Sequence, residues 1–454
     1  MPTVGIVSPG FENAVRQAAN FHGLPEVRSV LFPPPNIGAQ TADEVRKHAK
    51  ALFDKVVGEL MRSMAAAKGA AKKRADPRKI VCTGDFDELS EFFLENRWTE
   101  GLPIVPPTIK AVEAMLKFTD RNPHEVVGVL RPGKCEATVW KIAVNGVMAG
   151  CRPEYMPILI AIIEAESEPD SGIEGFNSTS GQFPLIIVSG PITRELGFNH
   201  GQGMVKGNRQ ANIAISRFFS LCLINIACLR LGETDMTTFD RNFYPVIVES
   251  DESPWGPVSV DLGFAQDCNV VTVQSAATLG YSFLTEGEAD SHLRIVAQEV
   301  ARDLGNFDFI IHPMLGPATT PAILLSPLVA TVIARAGYSK QDVRNYLFEK
   351  SRIPAHQIEE FMRRRALLPD IDPNDITLCE MARQGRLPKV FCENEDPDRM
   401  IPVVQNADEF MILVTGIPNR NRSRIMRQGG AHGKRFSKEI KLPANWSQLF
   451  RGRS

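Results

Sequence analysis

The chain has 454 residues, a formal net charge of −2 and ordinary apolar and charged fractions. That composition suits a soluble globular protein of two or three domains, or one large α/β domain with an appendage. A near-neutral balance excludes a nucleic-acid or membrane partner on electrostatic grounds. The opening MPTVGIVSPG has no basic region ahead of an apolar core, so it does not read as a signal peptide. The longest apolar runs, Met156–Ile163 and Leu324–Val332, are too short to cross a bilayer and read as buried helices.

Residues 3–8 form a short strand pattern, 10–22 a helix and 27–33 a second strand; Thr41 and Glu44 then form a capping box that opens a long helix. This unit, residues 1–62, is too small to close a core and reads as half of an α/β domain. The alanine-rich stretch 63–80 carries Lys68, Lys72, Lys73, Arg74, Arg78 and Lys79, and reads as a solvated basic linker. From 81 to 454 strands and helices interleave as one large α/β domain with mixed sheets and helices on the faces. Strands are expected at 184–189, 244–249, 269–274, 307–313 and 409–415. Helices are expected at 109–118, 138–149, 155–166, 208–222, 289–303, 326–336, 340–350 and 355–365. No internal repeat is evident, and the stretch after Gly416, with Arg420, Arg422, Arg424, Arg427, Lys434 and Arg435, reads as basic and irregular.

Cys82, Cys135, Cys151, Cys222, Cys228, Cys268, Cys379 and Cys392 are scattered, with no CxxC and no histidine at zinc spacing. Reduced thiols in a cytoplasm are the expectation; no metal site is indicated and the cofactor, if there is one, is unknown.

Cys151 lies between two helical patterns. Thr138 can cap the first, Gly150 is a natural left-handed stop, and Pro153 suits the first turn of the second. A thiol at such a helix start, beside Arg152, can ionise and act as nucleophile or redox centre, with Glu154 moving a proton. The same corner also suits a small buried cysteine. In FNHGQGMVKGNRQANIAISRFF (198–219), Gly201, Gly203 and Gly207 run into a helix near Asn208. The backbone N–H groups there, with Lys206 and Arg209, can hold a phosphate or carboxylate, and His200 can carry a proton; a flexible loop with a helix cap fits equally. Ser178, Thr179 and Ser180 form a hydroxyl-rich turn. Glu249, Asp251 and Glu252 end a strand before Trp255, and suit proton transfer or, more simply, a solvated strand end. His312 is placed after a strand, where α/β ligands bind, although a lone histidine there is commonly structural.

The stretches WTEGLPIVPPT (98–108) and ATVWKIAVNGVMAGCRPEYMPILIAI (137–162), the SPW element (253–255) and VKGNRQANIAISRF (205–218) resemble the large second domain of the UGSC family. Residues 1–62 are similar to the last half of that family's small domain. The family is named for a selenocysteine-Gly-Ser-Cys motif or its cysteine form, expected upstream of that half; neither UGSC nor CGSC occurs in the sequence. The resemblance implies a redox or sulfur-related enzyme role and a small partner protein carrying the motif.

These readings combine into an enzyme subunit, of oxidoreductase or lyase type, acting on a small anionic substrate through Cys151. A homo-oligomer or a partner of the UGSC kind would complete residues 1–62. The alternatives are a non-catalytic subunit that completes a small domain on another chain, or a lyase or hydrolase without redox change.

Overall fold

The structure is a computed structural model that describes residues 3–21, 24, 26–34, 40–62, 76, 78–179, 181–206, 209–239, 243–305, 320–365, 377–428 and 434–451. Residues 1–62 carry β1 (Gly5–Val7), α1 (Glu12–Phe21), β2 (Ser29–Leu31) and α2 (Ala42–Met61), and β1 and β2 pair in parallel. The capping box forms as the sequence predicts: Glu44 Oε2 accepts from the Thr41 N–H at 2.8 Å. Val30, Phe32 and Leu52 make a small core of their own.

The chain continues through α3 (Phe86–Glu95), α4 (Ile109–Leu116), β3 (Val126–Leu130), β4 (Cys135–Thr138), α5 (Val139–Met148), α6 (Met156–Glu166), β5 (Phe183–Ser189), α7 (Ile192–Glu195), α8 (Gln210–Asn225), β6 (Val246–Val248), α9 (Val258–Asp261) and β7 (Val270–Ala276). It goes on with β8 (Ser282–Leu284), α10 (Ala289–Leu304), β9 (Ala322–Leu325), α11 (Pro327–Arg335), α12 (Lys340–Lys350), β10 (Arg352–Pro354), α13 (Ala355–Arg365), α14 (Leu378–Arg383), β11 (Met400–Pro402), β12 (Met411–Val414), β13 (Arg422–Met426), β14 (Phe436–Glu439) and α15 (Trp446–Arg451).

Two four-stranded sheets carry the large domain, in the orders β14-β7-β5-β6 and β12-β9-β13-β8. Both follow one pattern. A parallel pair (β5 with β6, β9 with β12) is flanked on its first strand by an antiparallel strand (β7, β13), which pairs antiparallel with a fourth (β14, β8). The fourth strands are exchanged: β8 follows β7 in the chain but joins the second sheet, while β14 follows β13 and joins the first. The sheets are thus stitched together reciprocally.

Strand periodicity builds the layers. Phe183, Leu185 and Ile187 of β5 meet Ala322 and Leu324 of β9 and Met411 and Leu413 of β12 between the sheets. The alternate residues face outward: Ile186 and Val188 pack with α5, α6 and α8, and Ile323, Leu325, Ile412 and Val414 with α10 and α11. The result is a four-layer α/β/β/α sandwich, in accord with the expected α/β class.

Several expectations need correction. Leu324–Val332 is not one helix; Ser326-Pro327 divides it into the end of β9 and the start of α11, with Pro327 in the first turn. The basic stretch after Gly416 is not irregular, because it supplies β13 and β14. Cys379 and Cys392 are not reduced thiols. α14 and the turn Lys389–Cys392 bring their Cα atoms to 4.7 Å, within disulfide span, and they are bonded. The expected strand 307–313, His312 and most of the basic linker lie outside the described residues.

Candidate functional site: a cationic cleft at the strand ends

The local geometry at Cys151 follows the sequence. Thr138 Oγ1 caps α5 by accepting from Lys141 N–H at 3.3 Å. Gly150 takes φ +79°, and the Gly150 and Cys151 N–H groups close on the Val147 and Gly146 carbonyls, both at 2.9 Å. This is a Schellman stop. Pro153 opens the short turn that leads into α6. The thiol, however, is enclosed by the α5–α6–α8 core. Burial raises its pKa well above the ordinary thiol value, and Arg217 opposes this only in part. Arg217 is itself committed to Glu100 at 2.6 Å and to the Pro103 carbonyl at 2.7 Å. Burial therefore disfavours the thiolate that the sequence suggests at Cys151. Arg152 is largely exposed and lies 3.7 Å from the buried Glu154 carboxylate.

The glycine-rich loop has a different setting. Gly201, Gly203 and Lys206 line a cleft of about 480 Å³ with Ser326, Thr415, Arg420, Arg422 and Arg424. The cleft opens from the inter-sheet layer at the C-terminal ends of the parallel pair β9–β12, the edge of an open α/β sheet where ligands bind. Gly203 (φ +67°) and Gly416 (φ +99°) hold backbone conformations that a side chain would strain. Gly416 N–H donates to the His200 carbonyl at 2.8 Å, and Thr415 Oγ1 bridges the His200 and Val248 carbonyls at 3.2 and 2.7 Å. Ser326 makes no side-chain cap on α11; its hydroxyl donates to the Arg420 carbonyl.

The electrostatics are one-sided. Among the described residues, no carboxylate pairs with Lys206, Arg420, Arg422 or Arg424. Arg424 is half-buried, and desolvation lowers its pKa without an acid to offset it. The β-strand repeat puts Arg422 and Arg424 on the face that continues into Met426 of the inter-sheet core. His200 Nδ1 is buried with no hydrogen-bond partner among the described residues.

Of the predicted site residues, Gly201, Gly203 and Lys206 come together at the cleft, and His200 braces it through its carbonyl. Gly207 and Asn208 lie outside the described residues. Arg209 is the exposed residue before α8 and does not line the cleft. Neither Cys151, Arg152 nor Glu154 lines it, although Gln210 Nε2 reaches the Gly150 carbonyl at 3.2 Å. The acids after β6 separate: Glu249 is turned inward, accepting from Val258 N–H at 2.8 Å, and burial lifts its pKa to about 7. Asp251 pairs with Arg194 at 3.0 Å on the surface. Trp255 is half-buried, its indole N–H on the Tyr338 carbonyl at 3.1 Å. Sequence reasoning missed Arg420, Arg422 and Arg424 as site residues; their i, i+2, i+4 spacing ahead of Ile425-Met426 is the strand signal that marks them.

No helix among the described residues is long and apolar enough to cross a membrane, and no cluster of three or more His, Cys, Asp or Glu there could hold a metal ion. An α/β sandwich with a cationic cleft at its strand ends is the class that fold and site define. Residues 1–62 match the model of the UGSC family, and the rest of the chain, including the 98–162 motifs, matches no family model. No curated protein and no solved structure matches the chain.

Proposed function

We propose that the protein is an enzyme subunit that takes a small anionic substrate, a phosphate or carboxylate ester or acid, in the cleft between Gly201–Lys206 and Arg420–Arg424. The observation that carries this reading is the gathering of Lys206, Arg420, Arg422 and Arg424 at one strand edge with no carboxylate partner among the described residues. Lys206, Arg420 and Arg422 are exposed, but Arg424 is half-buried with no carboxylate partner among the described residues, and an external anion would supply its counter-charge. His200 is the proton carrier nearest this loop, and Cys151 contributes packing rather than chemistry.

Calorimetric titration at low ionic strength with inorganic phosphate, pyrophosphate and a dicarboxylate tests the reading. At least one should bind to wild type and to Cys151→Ser alike, and lose affinity in Arg424→Ala. Absence of binding by all three would overturn it.

A second reading is favoured by residues 1–62. Among the described residues β1 and β2 pair only with each other, and Ile6 and Phe53 are 60% and 66% exposed. An uncovered strand edge and apolar surface suit a homo-oligomer or a partner chain. Light scattering of the purified chain at micromolar concentration checks this; a monomer would count against it.

A further inference from the structure

Ser178 and Thr179 of the hydroxyl-rich turn do not line the anion cleft. Their backbone instead holds another loop, residues 228–238. Met236 N–H donates to the Asn177 carbonyl at 3.1 Å and Thr238 N–H to the Thr179 carbonyl at 3.2 Å. Thr237 Oγ1 donates to the Phe176 and Ser178 carbonyls at 3.2 and 3.3 Å. The loop also closes on itself. The Arg230 carbonyl accepts the N–H groups of Glu233, Thr234 and Asp235 at 2.9, 3.0 and 3.0 Å, and Arg230 N–H donates to Thr234 Oγ1 at 2.9 Å. A backbone tied in this way fixes the side chains that it presents.

Two of those side chains, Arg230 and Asp235, line one cavity of about 530 Å³, with Phe176, Leu223 and Leu229 as apolar wall. The other charges at this cavity are committed: Arg97 pairs with Glu233, and Glu100 holds Arg217 at 2.6 Å. Arg230 and Asp235, both half-buried, are not. Among the described residues no acceptor engages the Arg230 guanidinium, and its Nε is buried. The Asp235 carboxylate accepts the Thr237 N–H at 3.0 Å and pairs with no cation among the described residues. Opposite charges that share a cavity without pairing call for a ligand that carries both.

We propose that this cavity binds a free amino acid with an apolar side chain. Its carboxylate meets Arg230, whose planar guanidinium suits a two-oxygen acceptor. Its ammonium meets Asp235, and its side chain lies against Phe176, Leu223 and Leu229. The volume is that of a small-molecule site. A plain acid or a plain amine would leave one charge of the cavity unanswered, so the pair selects a zwitterion over either. No residue lines both this cavity and the anion cleft, so the inference stands apart from the substrate reading.

The test is calorimetric titration of the full-length chain with L-leucine and L-phenylalanine, each beside its deaminated acid and its decarboxylated amine (for leucine, 4-methylpentanoate and 3-methylbutylamine). At least one amino acid should bind, and its two fragments should each bind about tenfold or more weakly. Saturating pyrophosphate should not displace it. Arg230→Gln should lose the binding while keeping the wild-type melting temperature. Absence of binding by both amino acids would overturn the proposal. Equal affinity for the deaminated acid would overturn it too, since the cavity would then be a simple anion site, and so would displacement by pyrophosphate. These three outcomes are read on wild-type protein, so a variant that fails to fold does not shelter the idea.

Discussion

The two sheets share one pattern of strand directions and end in opposite electrostatics. In the first, the segment after β6 meets residues 338–344, which follow β9 and α11. There Asp261 takes Lys340 Nζ at 2.9 Å and Arg344 at 2.7 Å, with Arg435 close by. In the second, the segment after β12 meets residues 200–206, which follow β5 and α7, and Lys206, Arg420, Arg422 and Arg424 gather without a carboxylate among the described residues. One end carries its own anion; among the described residues the other has none. The same contrast separates Arg217 beside Cys151, held by Glu100, from Arg424. A structural cation is distinguished from a ligand-binding one by whether the fold provides its partner, not by how deeply it is placed.

That comparison can be broken at either end. The largest effect is expected from Asp261→Ala. Lys340 is 7% exposed, and removing its partner should cost about 3–5 kcal/mol in chemical denaturation. Added phosphate should restore part of the loss by occupying the vacated place. Unaltered stability would mean that the Asp261 cluster is not an internal counterpart of the cleft.

Arg424→Ala addresses the other end. Affinity for the bound anion should weaken by about 1.5–3 kcal/mol, the range for hydrogen bonds to charged groups, measured by calorimetry. Stability should hold or rise, since the guanidinium has no carboxylate partner to lose among the described residues. A lowered melting temperature with unchanged affinity would make Arg424 structural.

Glu249 sharpens the pH behaviour of the first end. Its folded pKa, lifted to about 7 by burial, lies above the unfolded value near 4.5. The folded state therefore binds the proton more tightly than the unfolded chain between those values. Stability falls as pH rises through that window, by on the order of 2 kcal/mol. Glu249→Gln should flatten the dependence in urea melts between pH 5 and pH 8; an unchanged slope would place the titration elsewhere. The smallest effect belongs to Cys151→Ala, which should cost about 1 kcal/mol and leave anion binding intact.

Much of the local structure was legible from sequence. The Thr41 capping box, the Gly150 stop and the Pro153 start depend on a few adjacent residues, and the strand and helix bounds of β5, α5, α6 and α8 fall within three residues of expectation. The sequence left Cys151 open between a reactive and a buried thiol, because the choice depends on α8 packing from sixty residues away. The kinship of the sheets is carried by strand direction and exchange, which leave no repeat in residue identity. Arg420, Arg422 and Arg424 were readable as an alternating strand face, but the surrounding Asn and Gly content and the high charge obscured it. The glycine loop was legible as a candidate and lines one side of the cleft; the other side comes from residues two hundred positions away, joined to it by the Gly416 and Thr415 bonds to the His200 carbonyl and by inter-sheet packing.

The most direct test of the central claim is hydrogen exchange of the native chain with and without saturating pyrophosphate. Protection of backbone amides in 201–206 and 415–424 should rise together, with no matching change at 146–155 around Cys151. Protection confined to the Cys151 corner, or no change in either segment of the cleft, would contradict the account.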